Sequence, residues 1–186
     1  NTMMKYFVFL FLFASHFVHS QVGTGEWRLH VSTMEAIDVA SKDSFVYTAY
    51  ESGVMEYNIH TSEKVMLDKI NYLSDIQVSC IDMDTVENAL YIGYKNGNID
   101  KIINNQILNI PSIKLAEVTG SKQINSFYRS GQYIYIATDF CIVKFDPIKN
   151  EVKDTYYPTN SLDPIVDVLV ISDTLYALSP SMLQKA

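Results

Sequence analysis

The chain has 186 residues, 48% of them apolar, with seven Gly and five Pro, a composition that belongs to a globular protein and argues against disorder. Fourteen basic against 21 acidic residues leave a net charge of −7, so there is no electrostatic footprint for gripping a phosphate backbone, and nucleic acid is excluded as a partner.

At the start, Met4-Lys5 precedes the apolar run Tyr6 to Ala14, and Val18 and Ser20 stand three and one residues before Gln21. A positive start, an apolar stretch about half the roughly 20 residues that span a bilayer, and small or branched residues before a cut predict a signal peptide over residues 1–20. The mature chain is expected to begin at Gln21 and to carry no membrane span. No Cys follows the run, which argues against a lipoprotein anchor. Export places Cys80 and Cys141 in an oxidising compartment. Their count and spacing suggest no disulfide framework, and both are expected to be small, buried and unpaired.

Beyond residue 35 the sequence repeats itself. Ala36-Ile37-Asp38-Val39, Cys80-Ile81-Asp82-Met83, Gln123-Ile124-Asn125-Ser126 and Ile165-Val166-Asp167-Val168 recur at offsets of 44, 43 and 42 between their polar positions. A second element follows each after a short polar turn: Val46-Tyr47-Thr48-Ala49, Leu90-Tyr91-Ile92-Gly93, Ile134-Tyr135-Ile136-Ala137 and Leu175-Tyr176-Ala177. A third is visible at Gly53 to Tyr57, Gly97 to Lys101 and Cys141 to Phe145. Tyr50-Glu51-Ser52-Gly53 and Tyr94-Lys95-Asn96-Gly97 predict hairpins between the second and third elements. Phe140-Cys141 departs from that pattern, leaving the geometry of its turn open. Lys64 to Ile70 and Val152 to Tyr157 supply a fourth strand, so each unit should hold four.

A period near 43 with four short strands per unit predicts an all-β fold, a β-propeller whose blades start near residues 36, 80, 123 and 165. Strands apolar on both faces, such as Tyr133 to Ala137, fit sheets covered on both sides better than a sandwich. Ala49, Gly93 and Ala137 should mark a crowded place where blades converge. Tyr47, Tyr91, Tyr135 and Tyr176 should pack between blades. Residues 36–186 hold about three and a half units, fewer than the roughly four blades a closed ring needs. The expectation is therefore an incomplete propeller, a fragment that stops in mid-blade. In residues 21–35, Glu26 to Val31 reads as a strand waiting to complete a last blade.

No catalytic, metal or cofactor site is readable. His30 and His60 lack ligands at metal spacing, His30 reading as structural and His60 as a turn residue. No nucleophile elbow, phosphate-binding loop or Ser-His-Asp set can be assembled. One constellation remains: Asp38, Asp82, Asn125 and Asp167 recur from unit to unit and could line an axial channel, where carboxylates can hold a cation or a sugar. The plainer role is satisfying backbone groups on the inner strands. Tyr156-Tyr157 before Pro158 could stack on a sugar, although a strand end is the simpler role.

Gly25-Glu26-Trp27 with His30, Leu73-Ser74-Asp75, Tyr94-Lys95-Asn96-Gly97-Asn98-Ile99-Asp100 and Glu151 to Tyr157 together resemble the PorZ family of the type IX secretion system. The general repeat also looks like that of periplasmic sensors of hybrid two-component histidine kinases. The PorZ resemblance implies a noncatalytic component with two propellers and a sorting domain on the outer-membrane surface. It further implies a sortase-like partner, other secretion-system proteins, and binding of anionic lipopolysaccharide or another glycan so that cargo can be attached. A periplasmic sensor and a carbohydrate-active enzyme are the alternatives.

Overall fold

The computed structural model describes residues 35–158, 163–181 and 183–185. The leader expected over residues 1–20 and the strand read at Glu26 to Val31 lie outside the described residues. What is described is all-β. The first sheet holds β1 (Asp38–Lys42), β2 (Phe45–Tyr50), β3 (Gly53–Asn58) and β4 (Lys64–Asp68). The second holds β5 (Val78–Asp84), β6 (Ala89–Tyr94), β7 (Ile99–Ile103) and β8 (Gln106–Ile110). The third holds β9 (Ile124–Ser130), β10 (Tyr133–Thr138), β11 (Ile142–Asp146) and β12 (Glu151–Tyr156). The fourth holds β13 (Asp167–Ile171), β14 (Thr174–Leu178) and β15 (Leu183–Lys185). Every sheet is an antiparallel meander in sequence order. The first strands β1, β5, β9 and β13 neighbour one another, so each sheet is a blade with its first strand innermost. The blades form an unclosed propeller.

Period-2 alternation explains why the strands are apolar throughout. In β6, Leu90, Ile92 and Tyr94 pack toward the first blade, while Ala89 and Tyr91 pack toward the third. In β10, Ile134 and Ile136 face the second blade, and Ala137 and Tyr135 face the fourth. The core is thus three separate layers, one in each space between blades. The outer strands are wetter. In β12, Glu151, Lys153 and Asp154 are exposed, and charges on an edge discourage pairing with another chain.

Turn chemistry sets the register. Asn104-Asn105 and Ser172-Asp173 each put two successive residues at positive φ, as two-residue hairpins require. Gly97 sits at φ +83°, where a Cβ would lie 3.0 Å from the Lys122 carbonyl oxygen. At Gly93 a Cβ would fall 2.7 Å from Ile124 Cβ on the next blade. Ala49 and Ala137, at the corresponding places, are fully buried. These are the crowded positions the sequence pattern anticipates. The turn at Phe140-Cys141 needs no glycine, because the Thr138 hydroxyl accepts from the backbone N–H of Cys141 (3.0 Å) and of Phe140 (3.3 Å). The Thr138 hydroxyl also donates to the Cys141 carbonyl at 2.7 Å.

Candidate functional site

The strand register does not keep Asp38, Asp82, Asn125 and Asp167 at one level along the inner strands. Asp38 opposes Ala49, and Asp167 opposes Leu178 at the corresponding pair. Asp82 opposes Tyr91, and it is Cys80 that opposes Gly93. The cause is turn length. Lys42 pairs with Phe45 across a short turn, whereas Asp84 pairs with Ala89 across a longer one, sliding β5 along its neighbour. Asn125 falls at an irregularity, since Ser126 opposes Ala137 and Ile124 opposes Thr138.

Their hydrogen bonds run between blades and to the adjacent backbone. Asp38 accepts from Ile81 N–H of the second blade at 3.0 Å and from Val39 N–H at 2.8 Å. Asn125 donates to the Ile165 carbonyl at 2.8 Å and to Asp139 Oδ1 at 2.8 Å, and accepts from Gln123 Nε2 at 2.9 Å. Asp82 and Asp167 accept from the next backbone N–H, at 2.8 and 2.9 Å. Burial, then the charges of Asp38 and Asp84, hold the Asp82 carboxyl above the usual aspartate range, against the Met83 hydrogen bond. No group of three or more His, Cys, Asp or Glu side chains gathers at metal-binding distance among the described residues.

Both cysteines are buried and free. Cys80 donates toward the Ile124 carbonyl at 3.6 Å, and burial pushes its thiol well up. Burial pushes Cys141 up to about 11. Thiols held protonated in this way are poor nucleophiles. His60 lies in a turn, its N–H donating to Asn58 Oδ1 at 2.9 Å. Tyr156 ends β12 with its ring 6.5 Å from that of Tyr135, and Tyr157 is exposed.

Two of the segments that resemble the PorZ pattern, Leu73-Ser74-Asp75 and Tyr94 to Asp100, meet in one polar clasp. Asp100, wholly buried, accepts from the Tyr94 hydroxyl (2.6 Å), Ser74 N–H (2.8 Å) and Asn109 Nδ2 (3.0 Å). Asp75 accepts from Asn96 Nδ2 at 2.7 Å and from Lys114 Nζ at 2.6 Å. Burial pushes the Asp75 carboxyl up, but the donors Lys114, Asn96 and Ile76 N–H outweigh it and leave it below the usual range. The clasp ties the loop that enters the second blade to the hairpin at Gly97. Asn109 completes it, and its only sequence signal is a polar residue inside the run Ile107-Leu108-Asn109-Ile110.

Three tyrosines on successive second strands occupy three different interblade environments. Tyr91 is buried against Phe127 and Phe145, at 5.7 and 6.5 Å between ring centres. Beside it Lys101 pairs with Glu87 at 2.7 Å and donates to the Pro147 carbonyl at 2.7 Å. Arg129 and Asp84 add a second ion pair across the same seam. Tyr47 instead borders a cleft of about 390 Å³ between the first two blades. Tyr135 borders one of about 490 Å³ between the third and fourth, where Lys144 Nζ stands 4.3 Å from the Tyr133 ring centre.

The sequence model of the PorZ N-terminal β-propeller domain of the type IX secretion system matches residues 46–186. The chain belongs to this family. Among solved structures it is similar to PorZ, described as an essential bacterial surface component of the type IX secretion system of Porphyromonas gingivalis, with 23% identity and a TM-score of 0.69. That likeness covers 80% of this chain and 20% of PorZ, so the chain spans about a fifth of that structure. The extracellular domain of a putative one-component system of B. thetaiotaomicron gives 18% identity and a TM-score of 0.70 over 81% of this chain and 21% of its own. A structure described as the extracellular domain of a putative hybrid two-component system of B. thetaiotaomicron gives 18% and 0.65, over 80% and 21%. At these identities the structural likenesses establish the fold. No curated protein matches the chain by sequence. Among the described residues no helix is long and apolar enough to cross a membrane.

Proposed function

We propose that this chain is part of a noncatalytic, cell-surface component of the type IX secretion system that binds partner proteins or a surface glycan through its propeller. The family match over residues 46–186 carries the reading. In it, residues 1–20 direct export and are removed before Gln21, and the product resides at the outer-membrane surface. There it engages a sortase-like protein and anionic lipopolysaccharide, assisting attachment of secreted cargo.

The test is genetic and topological. In a host that encodes the chain, deleting residues 36–186 should leave cargo unattached at the surface, and protease added to intact cells should digest the protein. The second reading is a periplasmic sensor of a hybrid two-component regulator, favoured by the likeness to the B. thetaiotaomicron domains. Normal cargo attachment with loss of a transcriptional response, in a protein shielded from external protease, would select it. Glycan turnover lost on replacing Asp38 or Asp82 would instead select a carbohydrate-active enzyme.

A further inference from the structure

The second blade contains an internal template for the cleft on the first. Along one face of the first blade the cross-strand row is Ala40, Tyr47, Glu56 and Val65. The corresponding row of the second blade is Asp82, Tyr91, Lys101 and Leu108. In the second blade the ammonium of Lys101 lies 5.7 Å from the Tyr91 ring centre and 2.7 Å from Glu87, and only 4% of the residue is exposed. Ring, carboxylate and ammonium complete one another, and the space between blades is closed.

On the first blade the ring and the carboxylate are present without the ammonium. Tyr47 takes the place of Tyr91, and Glu56 stands where Lys101 would be. Burial, followed by the neighbouring Glu56 charge, holds the Tyr47 hydroxyl far above the usual range. Glu56 makes no ion pair among the described residues. Lys42, the cation among the lining residues, donates instead to the Asn88 carbonyl at 3.3 Å in an exposed bond. The cleft of about 390 Å³ that Glu56 lines is bordered by the apolar Leu67, Met83, Leu90 and Ile102 as well as by the polar Tyr72, Asn88, Asn104 and Asn105. An apolar track ending at a carboxylate beside an aromatic ring matches a methylene stem that ends in a cation.

We infer that this cleft binds the basic side chain, lysine or arginine, of a partner protein. It is the chemistry Lys101 already performs within the chain one blade further on. An amino sugar carries the same charge but lacks the methylene stem that Leu67, Met83, Leu90 and Ile102 would cover. The inference rests on the partner-binding reading above and gives that partner a recognisable feature.

The experiment titrates the 186-residue chain with Nα-acetyl-lysine amide, Nα-acetyl-arginine amide, the uncharged Nα-acetyl-norleucine amide and glucosamine, following methyl resonances by NMR. The two basic amides should shift Leu67, Met83 and Ile102 and bind about five-fold tighter than norleucine amide, the scale of a partly exposed charge pair. Glu56→Gln should bring lysine and norleucine amides level, and Glu56→Lys should abolish binding of both basic amides. Ile134 and Ile136, on the far side of the second blade, should stay unmoved and report an intact fold. Equal binding of norleucine amide, no shift with any amide, a preference that survives Glu56→Gln, or tighter glucosamine binding would overturn the inference. None of these results touches cargo attachment, so the secretion reading stands or falls separately.

Discussion

The space between the second and third blades and the space between the first and second are built on the same strands and the same tyrosine row, yet one is shut and the other is cleft. Between the second and third, Tyr91 is wedged by Phe127 and Phe145, and the charged ends of Lys101, Glu87, Arg129 and Asp84 are matched in pairs. Between the first and second, the end near the Gly97 hairpin is sealed by the Asp100 clasp, while the end near the Asn104-Asn105 turn is open. Stability and binding capacity are therefore divided among repeats that descend from one pattern. The seam between the second and third blades uses a cation supplied by the chain itself, Lys101, whereas the seam between the first and second has Glu56 at the corresponding place.

Breaking the closed seam should have the largest effect. Lys101→Met leaves Glu87 with its partner removed in a poorly solvated position and is expected to cost about 3–5 kcal/mol, because an uncompensated buried charge is worse than no pair. Adding Glu87→Leu should restore most of the loss, since the apolar replacements fill the space without a stranded charge. Urea unfolding of the two variants measures both. If the double variant is no more stable than Lys101→Met, the seam is held by shape rather than by charge.

The sealed end of the other space comes next. Asp100→Ala strands the Tyr94 hydroxyl, Ser74 N–H and one bond of Asn109, and is expected to cost about 2–3 kcal/mol at roughly 1 kcal/mol or more for each orphaned buried group. Hydrogen exchange should localise the loosening to the loop of residues 69–77 and to the Gly97 hairpin. Protection that falls equally in all blades would show the clasp to be no local device. Thr138→Val should cost less, about 1–2 kcal/mol, since it removes one hydroxyl that organises a single turn. Its effect should be confined to the Phe140-Cys141 turn.

The repeat, the order of strands, the two-sided burial and the small residues at Ala49, Gly93 and Ala137 were all legible from sequence. Each follows from local periodicity, or from a steric limit that recurs with the period. The register of the inner strands was not legible. Asp38 and Asp82 are 44 residues apart, as are Ala49 and Gly93, so alignment places the two aspartates together. The longer turn at Thr85 to Asn88 then moves Asp82 along the strand without changing any spacing. The same turn carries Glu87, so the event that hides the register also furnishes the partner of Lys101. Contact between residues on different blades has no linear signal, which is why the Glu56 cleft emerges only from the structure.

The smallest effect belongs to Asp82, and it tests how far the first and second blades communicate through charge. Its carboxyl is held above the ordinary value of 3.8, first by burial and then by Asp38 of the first blade and Asp84 of its own. A folded-state value raised in this way means that the native protein binds the proton more readily than the unfolded chain. The ionised group therefore opposes folding at neutral pH, and the opposition fades as pH falls through the folded-state value toward 3.8. Asp82→Asn should accordingly be the more stable protein at neutral pH, with the difference shrinking on acidification. Asp38→Asn should remove part of the gap by relieving the repulsion, although it weakens the bond to Ile81 N–H. Melting temperatures of the three proteins measured side by side from neutral to acid pH decide the matter. A gap that is constant with pH would assign the gain to packing around Asp82 and leave the two inner strands electrostatically independent.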